Sequence, residues 1–145
     1  MNEEQNILEH LLQQVSEAGM RKTRATIEVL KALVDAKGPV SLNELCAENG
    51  PLKAEYEMPT IFRLMTRLEQ QGLVQKLGFR DRAAYYTLRL KNRHHDYLIC
   101  TDCGNIEALE IACPVHELEI DIAKKHGFSE IYHELEFYGK CPSCA

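Results

Sequence analysis

Pro59-Thr60-Ile61-Phe62-Arg63-Leu64-Met65-Thr66-Arg67-Leu68-Glu69-Gln70-Gln71-Gly72 is the stretch on which the reading of the fold turns. Ile61, Leu64, Met65 and Leu68 recur at i, i+3, i+4 and i+7, the apolar face of a helix over residues 59–71. Pro59 suits the first turn, where its missing N–H is no loss, and Gly72 ends the segment. The opposite face carries Thr60, Phe62, Arg63, Thr66 and Arg67. An outward ring can touch thymine methyls, and Arg can donate paired bonds to a base or to phosphate. A solvated helix face with scattered charge is the competing reading.

Working outward, residues 73–77 and 83–88 read as two strands around Gly78-Phe79-Arg80-Asp81-Arg82, a basic hairpin tip. Upstream, Ile7, Leu8, Leu11, Leu12 and Val15 mark an amphipathic helix, broken by Gly19 before the basic cluster Arg21-Lys22-Thr23-Arg24. Ile27, Leu30 and Val34, with Val29 and Leu33 alongside, mark a second helix ended by Gly38-Pro39. Ser41-Leu42-Asn43-Glu44 is a capping box that opens a third, burying Leu42, Leu45 and Cys46. Helices followed by a hairpin is the order of a winged helix-turn-helix, whose last helix enters the major groove. The expected DNA-contacting set is Arg21, Thr60, Phe62, Arg63 and Arg67, with Lys76, Arg80 and Arg82 on phosphate.

The chain has 145 residues, 45% apolar and 27% charged, an ordinary globular composition. No apolar run approaches the length of a membrane span, and the acidic start MNEEQNILEH lacks a signal-peptide layout. The expected location is the cytoplasm, where the six cysteines are metal ligands before they are disulfides. The net charge of −5 first argues against nucleic acid, but it is not evenly spread. Residues 1–90 hold 12 Lys+Arg and 12 Asp+Glu, a net of zero, whereas residues 91–145 hold 5 against 10. Five of six cysteines and five of six histidines also follow residue 91, so two modules are expected, 1–90 and 91–145.

Cys100-Thr101-Asp102-Cys103 and Cys141-Pro142-Ser143-Cys144 are two C-x-x-C pairs separated by 37 residues. Together they supply four thiolates, the closed tetrahedral shell of structural zinc. A redox-active pair is the alternative, although neither pair sits in a thioredoxin-like βαβ pattern. Between them the pattern reads as a strand (106–109), a helix (114–126, with Val115, Leu118 and Ile122 inward) and a last strand over 131–138. His133 falls on the apolar face of that strand. His94, Asp96, His116 and His133 make a second, mixed N/O set suited to Zn(II), Fe(II) or Mn(II). Spacing alone leaves unrelated polar residues an equal alternative. Cys46 reads as a core residue, and Cys113 as an isolated thiol or a soft extra ligand near His116. A zinc enzyme is not expected, since four thiolates leave no open coordination position and no nearby Glu is placed as a general base.

Thr60-Ile61-Phe62-Arg63, the run from His94-His95-Asp96 through Cys100-Thr101-Asp102-Cys103-Gly104, Lys125-His126-Gly127-Phe128 and Gly139-Lys140-Cys141 resemble the ferric uptake regulator (Fur) family. The resemblance implies an α+β chain: an N-terminal winged helix followed by a small α/β dimerisation domain with zinc on Cys100, Cys103, Cys141 and Cys144. It further implies a homodimeric, metal-responsive repressor of palindromic double-stranded operator DNA, with neither a membrane nor a small organic substrate as partner. The regulatory divalent metal, Zn(II), Fe(II) or Mn(II), is then expected at His94, Asp96 and His133, with His116 where members usually have Glu. Positions that usually serve a hinge sensing site read Pro39, about Thr87 and Tyr97, leaving only His95 as an additional metal donor there, and Phe62 replaces the usual Tyr. The non-ligand residues Pro39, Thr87 and Tyr97 favour a second expectation, a DNA-binding regulator with structural zinc only.

Overall fold

The computed structural model describes residues 2–36, 38–78, 83–90, 95–109 and 111–145. The chain forms two compact units, Met1–Leu90 and Lys91–Ala145. In the first, α1 (Glu3–Glu17), α2 (Arg24–Asp35), α3 (Leu42–Cys46) and α4 (Met58–Gln70) pack with the short strand β1 (Val40–Ser41) and the hairpin β2 (Val74–Leu77) and β3 (Tyr85–Leu88). The sheet order is β1-β3-β2, antiparallel throughout, with Val40 opposite Tyr86 and Val74 opposite Leu88.

The core of this unit draws on every helix. Leu11, Val15, Leu30, Leu45, Ile61, Met65 and Leu68 are all fully buried. The helix starts are set by side chains that accept the orphan amides of the first turn. Asn2 and Gln5 form a capping box on α1, Thr23 caps α2, and Ser41 with Glu44 forms the expected box on α3. The buried stripe of α2 is rotated from the expected one. Thr26, Val29, Leu30 and Leu33 turn inward, and Ile27 is left exposed.

The second unit holds a three-stranded sheet, β4 (Asp96–Cys100), β5 (Ile106–Leu109) and β6 (Glu136–Gly139), and the helix α5 (His116–His126). The central strand β4 pairs antiparallel with β5 and parallel with β6. The last strand is shorter than its alternation suggests. Only residues 136–139 pair in register with β4, which offers Tyr97–Cys100 as partners; residues 131–135 are irregular, although the Tyr97 N–H still donates to the Leu135 carbonyl at 3.1 Å. His133 is therefore on irregular chain and not on a strand face. The inward assignment of Leu118 and Ile122 is also corrected: among the described residues α5 buries none, and these two are exposed. No described helix is long and apolar enough to cross a membrane.

Candidate metal centres and nucleic-acid face

Helix α4 separates its two faces sharply. Ile61, Met65 and Leu68 are wholly buried and Leu64 half-buried, whereas Thr60, Phe62, Arg63 and Arg67 are exposed. Phe62 stands 48% exposed, so it is not spent on packing under the hairpin. Pro59 occupies the first turn of α4 as its φ allows, and Arg67 lies in the last turn, where the helix dipole favours a cation. Arg21 and Lys76 are exposed as well. Neighbouring Arg24, by contrast, is held by Glu28 and Glu55, which raise its pKa, the bond to Glu28 contributing most. Arg80 and Arg82 lie outside the described residues.

The two C-x-x-C pairs meet. The parallel pairing of β4 and β6 sets Cys100 beside Gly139, two residues before Cys141. Gly104, at φ 78°, supplies the left-handed turn that brings the chain back after Cys103. The four sulfurs lie within 4.8 Å of one another, and Cys103 Sγ is 3.8 Å from Cys141 Sγ. Tetrahedral Zn–S bonds of about 2.3 Å place sulfurs about 3.8 Å apart, so the donor set and its spacing both fit zinc. The backbone N–H groups of Cys103 and Cys141 donate to Cys100 Sγ at 3.5 and 3.3 Å. These bonds, Cys103's first, stabilise the thiolate and lower the Cys100 pKa to about 6. Cys144 goes the other way, to about 12, because its thiol is hydrogen-bonded to Cys141 and crowded by the other sulfurs. A cation at the centre reverses that crowding.

A second cluster lies at the other end of β4. Asp96, Cys113 and His133 bring a carboxylate oxygen, a sulfur and a ring nitrogen within 4.8 Å of one another. Cys113 Sγ is 3.1 Å from His133 Nε2, and Asp96 Oδ1 is 3.9 Å from the same nitrogen. The other ring nitrogen, Nδ1, is in contact with the carboxylate of Glu119 on α5. Burial, and then hydrogen bonding to Asp96, push the Cys113 thiol up, against an opposing bond from the Val115 backbone. Of the expected regulatory donors, Asp96 and His133 come together here. His94 lies outside the described residues, and His116 is exposed in the first turn of α5, outside the three-residue cluster. His95 is exposed, its ring 6.4 Å from that of Tyr97 and in neither cluster.

Two participants were not signalled strongly by the sequence. Cys113 joins His133 across 20 residues, a proximity that no local spacing encodes. Glu119 is three residues after His116 and reads as an ordinary helix-surface acid until His133 is seen against it.

A winged helix with an exposed Phe- and Arg-bearing helix face, followed by a sheet unit holding two clusters of metal-type donors, is the architecture of a metal-binding transcription regulator. The ferric uptake regulator family model matches residues 17–138. The ferric uptake regulation protein of Legionella pneumophila is 31% identical over 140 residues, covering 91% of this chain and 96% of that protein. The Vibrio cholerae ferric uptake regulator structure aligns at 26% identity with a TM-score of 0.66, over 89% of this chain and 98% of that one. The Helicobacter pylori ferric uptake regulator shares the fold, with a TM-score of 0.71 at 22% identity over 99% and 94% of the two chains. The chain belongs to the ferric uptake regulator family of metal-responsive transcription regulators.

Proposed function

We propose that the protein is a cytoplasmic, homodimeric repressor that binds palindromic operator DNA when a divalent metal fills its second cluster. Residues 1–90 read the DNA and residues 91–145 hold metal and dimerise. The observation that carries the reading is the outward face of α4, where Phe62, Arg63 and Arg67 stand exposed on a helix whose other face is buried. Thr60 and Phe62 make apolar and polar contacts to base edges, and Arg21, Arg63, Arg67, Lys76, Arg80 and Arg82 bond to bases and phosphates. With residues 1–90 uncharged overall, affinity rests on a few focused contacts repeated in two protomers.

The second unit supports dimerisation. Among the described residues, nine large apolar side chains are exposed on it, including Ile111 at 61%, Leu118 at 55% and Phe128 at 69%. Of its described residues only Asp96, Tyr97, Ile99 and Cys100 are buried, too small a core for a stable free-standing unit. Cys100, Cys103, Cys141 and Cys144 hold structural zinc. Asp96 and His133, with His94 and His116 from flanking segments, hold the regulatory ion, Zn(II), Fe(II) or Mn(II), and His95 is a further donor. Preferential binding of that ion to one dimer geometry places the two recognition helices about one helical turn, roughly 34 Å, apart.

A gel shift on a selected operator tests this. Removing the weakly held metal should release the DNA while zinc stays on the four cysteines. Unchanged affinity sinks the metal-gated reading. A regulator with structural zinc alone is the second reading, favoured by the non-ligand residues Pro39, Thr87 and Tyr97, the last buried at 4% exposure. One metal per chain after purification supports it, and two support the sensor.

A further inference from the structure

The second cluster contains a donor that the N/O set leaves out. We propose that Cys113 is a thiolate ligand of the regulatory centre and that Glu119 positions its histidine, making an S/N/O site selective for borderline ions such as Zn(II), Co(II) and Fe(II) over Mn(II). The inference deepens the metal-gated reading above and rests on it.

The geometry is that of an assembled site. His133 Nε2 faces both Cys113 Sγ, at 3.1 Å, and Asp96 Oδ1, at 3.9 Å, while Nδ1 is engaged by Glu119. Metal-bound histidines use one ring nitrogen for the ion and give the other to a carboxylate, which fixes tautomer and ring direction. Typical Zn–S and Zn–N bonds of about 2.3 and 2.0 Å put the two donors about 3.5 Å apart in a tetrahedral shell. The sulfur and nitrogen must therefore part, and the carboxylate approach, by only about half an ångström. An inert core thiol would lie among apolar neighbours. Cys113 instead is half-buried beside Asp96 and His133, and it lines an open cleft of about 420 Å³ with Ala112, Pro114, His116 and Glu117. The cleft leaves the Cys113 side of the cluster open to an incoming ion. As the sulfur–metal bond forms, the thiol proton passes to solvent. Thiolate donors bias a site toward softer ions, whereas carboxylates and water suit manganese.

The test uses the full-length protein with zinc retained on its four cysteines, titrated with Co(II) under anaerobic conditions. One cobalt per chain should bind, with a near-ultraviolet sulfur-to-cobalt charge-transfer band. Cys113→Ser should lose the band and bind cobalt or zinc at least about tenfold more weakly, since even outer-shell partners are worth 10–100-fold. Its manganese affinity should change much less. Glu119→Gln should keep the band and lose about 10–100-fold in affinity. Zinc content and circular dichroism of each variant establish that the four-cysteine centre and the fold are intact. Cobalt bound with an unchanged band in Cys113→Ser overturns the thiolate assignment and leaves the regulatory centre standing. No cobalt bound by the wild type overturns both.

Discussion

Arg63→Ala isolates recognition from folding. Arg63 is exposed on α4, two residues from Met65, which is completely buried in the same helix. Removing an exposed side chain there should shift folding stability by no more than about 0.5 kcal/mol. A bidentate Arg–base contact is worth about 1–3 kcal/mol, and a twofold-symmetric complex makes it twice, for a total of about 2–6 kcal/mol. At 1.4 kcal/mol per decade this is a loss of roughly 30-fold to 10⁴-fold in operator affinity. The assay is fluorescence anisotropy on a duplex selected from a random pool by the wild type. Salt must be held fixed, since phosphate contacts make affinity steeply salt-dependent. Met65→Ala is the opposite control: it should cost about 2–5 kcal/mol of stability by cavity formation. If Arg63→Ala binds within about twofold of wild type, with unchanged melting and metal content, α4 does not present the reading surface.

The cysteine centre and the apolar surface carry three more expectations. Cys141→Ser removes one of four zinc donors and should abolish zinc retention and unfold residues 91–145, because structural zinc supplies on the order of 10 kcal/mol of folding free energy; a folded, zinc-free second unit by limited proteolysis would refute the assignment. Zinc must displace thiol protons from the reduced, zinc-free chain, so apparent zinc affinity should fall steeply as pH drops below the ordinary thiol range; a pH-independent affinity in a competition titration would refute the four-thiolate assignment. Leu118→Glu places a charge on a side chain that is 55% exposed in the single chain, so it should leave residues 1–90 folded but shift sedimentation from dimer to monomer.

Much of the first unit was legible because its signals are local. The i, i+3, i+4 spacing of Ile61, Leu64 and Met65 fixed the inner face of α4, and Ser41 with Glu44 fixed the start of α3. The Asn2 box went unread because the apolar periodicity of that helix begins only at Ile7. β1 is two residues long and exists only through its pairing with β3, so no periodicity could announce it. In the second unit the C-x-x-C pairs were legible as a set because thiolate chemistry constrains them to meet. The alternation from Ile131 to Tyr138 misled, since strand length there is limited by the partner and not by its own pattern. The apolar residues of α5 were read as facing inward because periodicity reports an amphipathic face without saying which molecule covers it.

Strand β4 begins at Asp96 and ends at Cys100, so both clusters hang on one five-residue rod. At about 3.3 Å per residue, the two ends stand roughly 13 Å apart. The thiolates clamp β6 to the far end of that rod, at Cys100 and Gly139, and the same register determines where His133 arrives, three residues before β6 begins. A slip of one residue would carry His133 about 3.3 Å from its neighbours, as far as the donors themselves are apart. The knot of sulfur is thus a jig for the second centre. If the second centre gates DNA binding as proposed, oxidation that unties the first would deafen the sensor without touching a sensing residue.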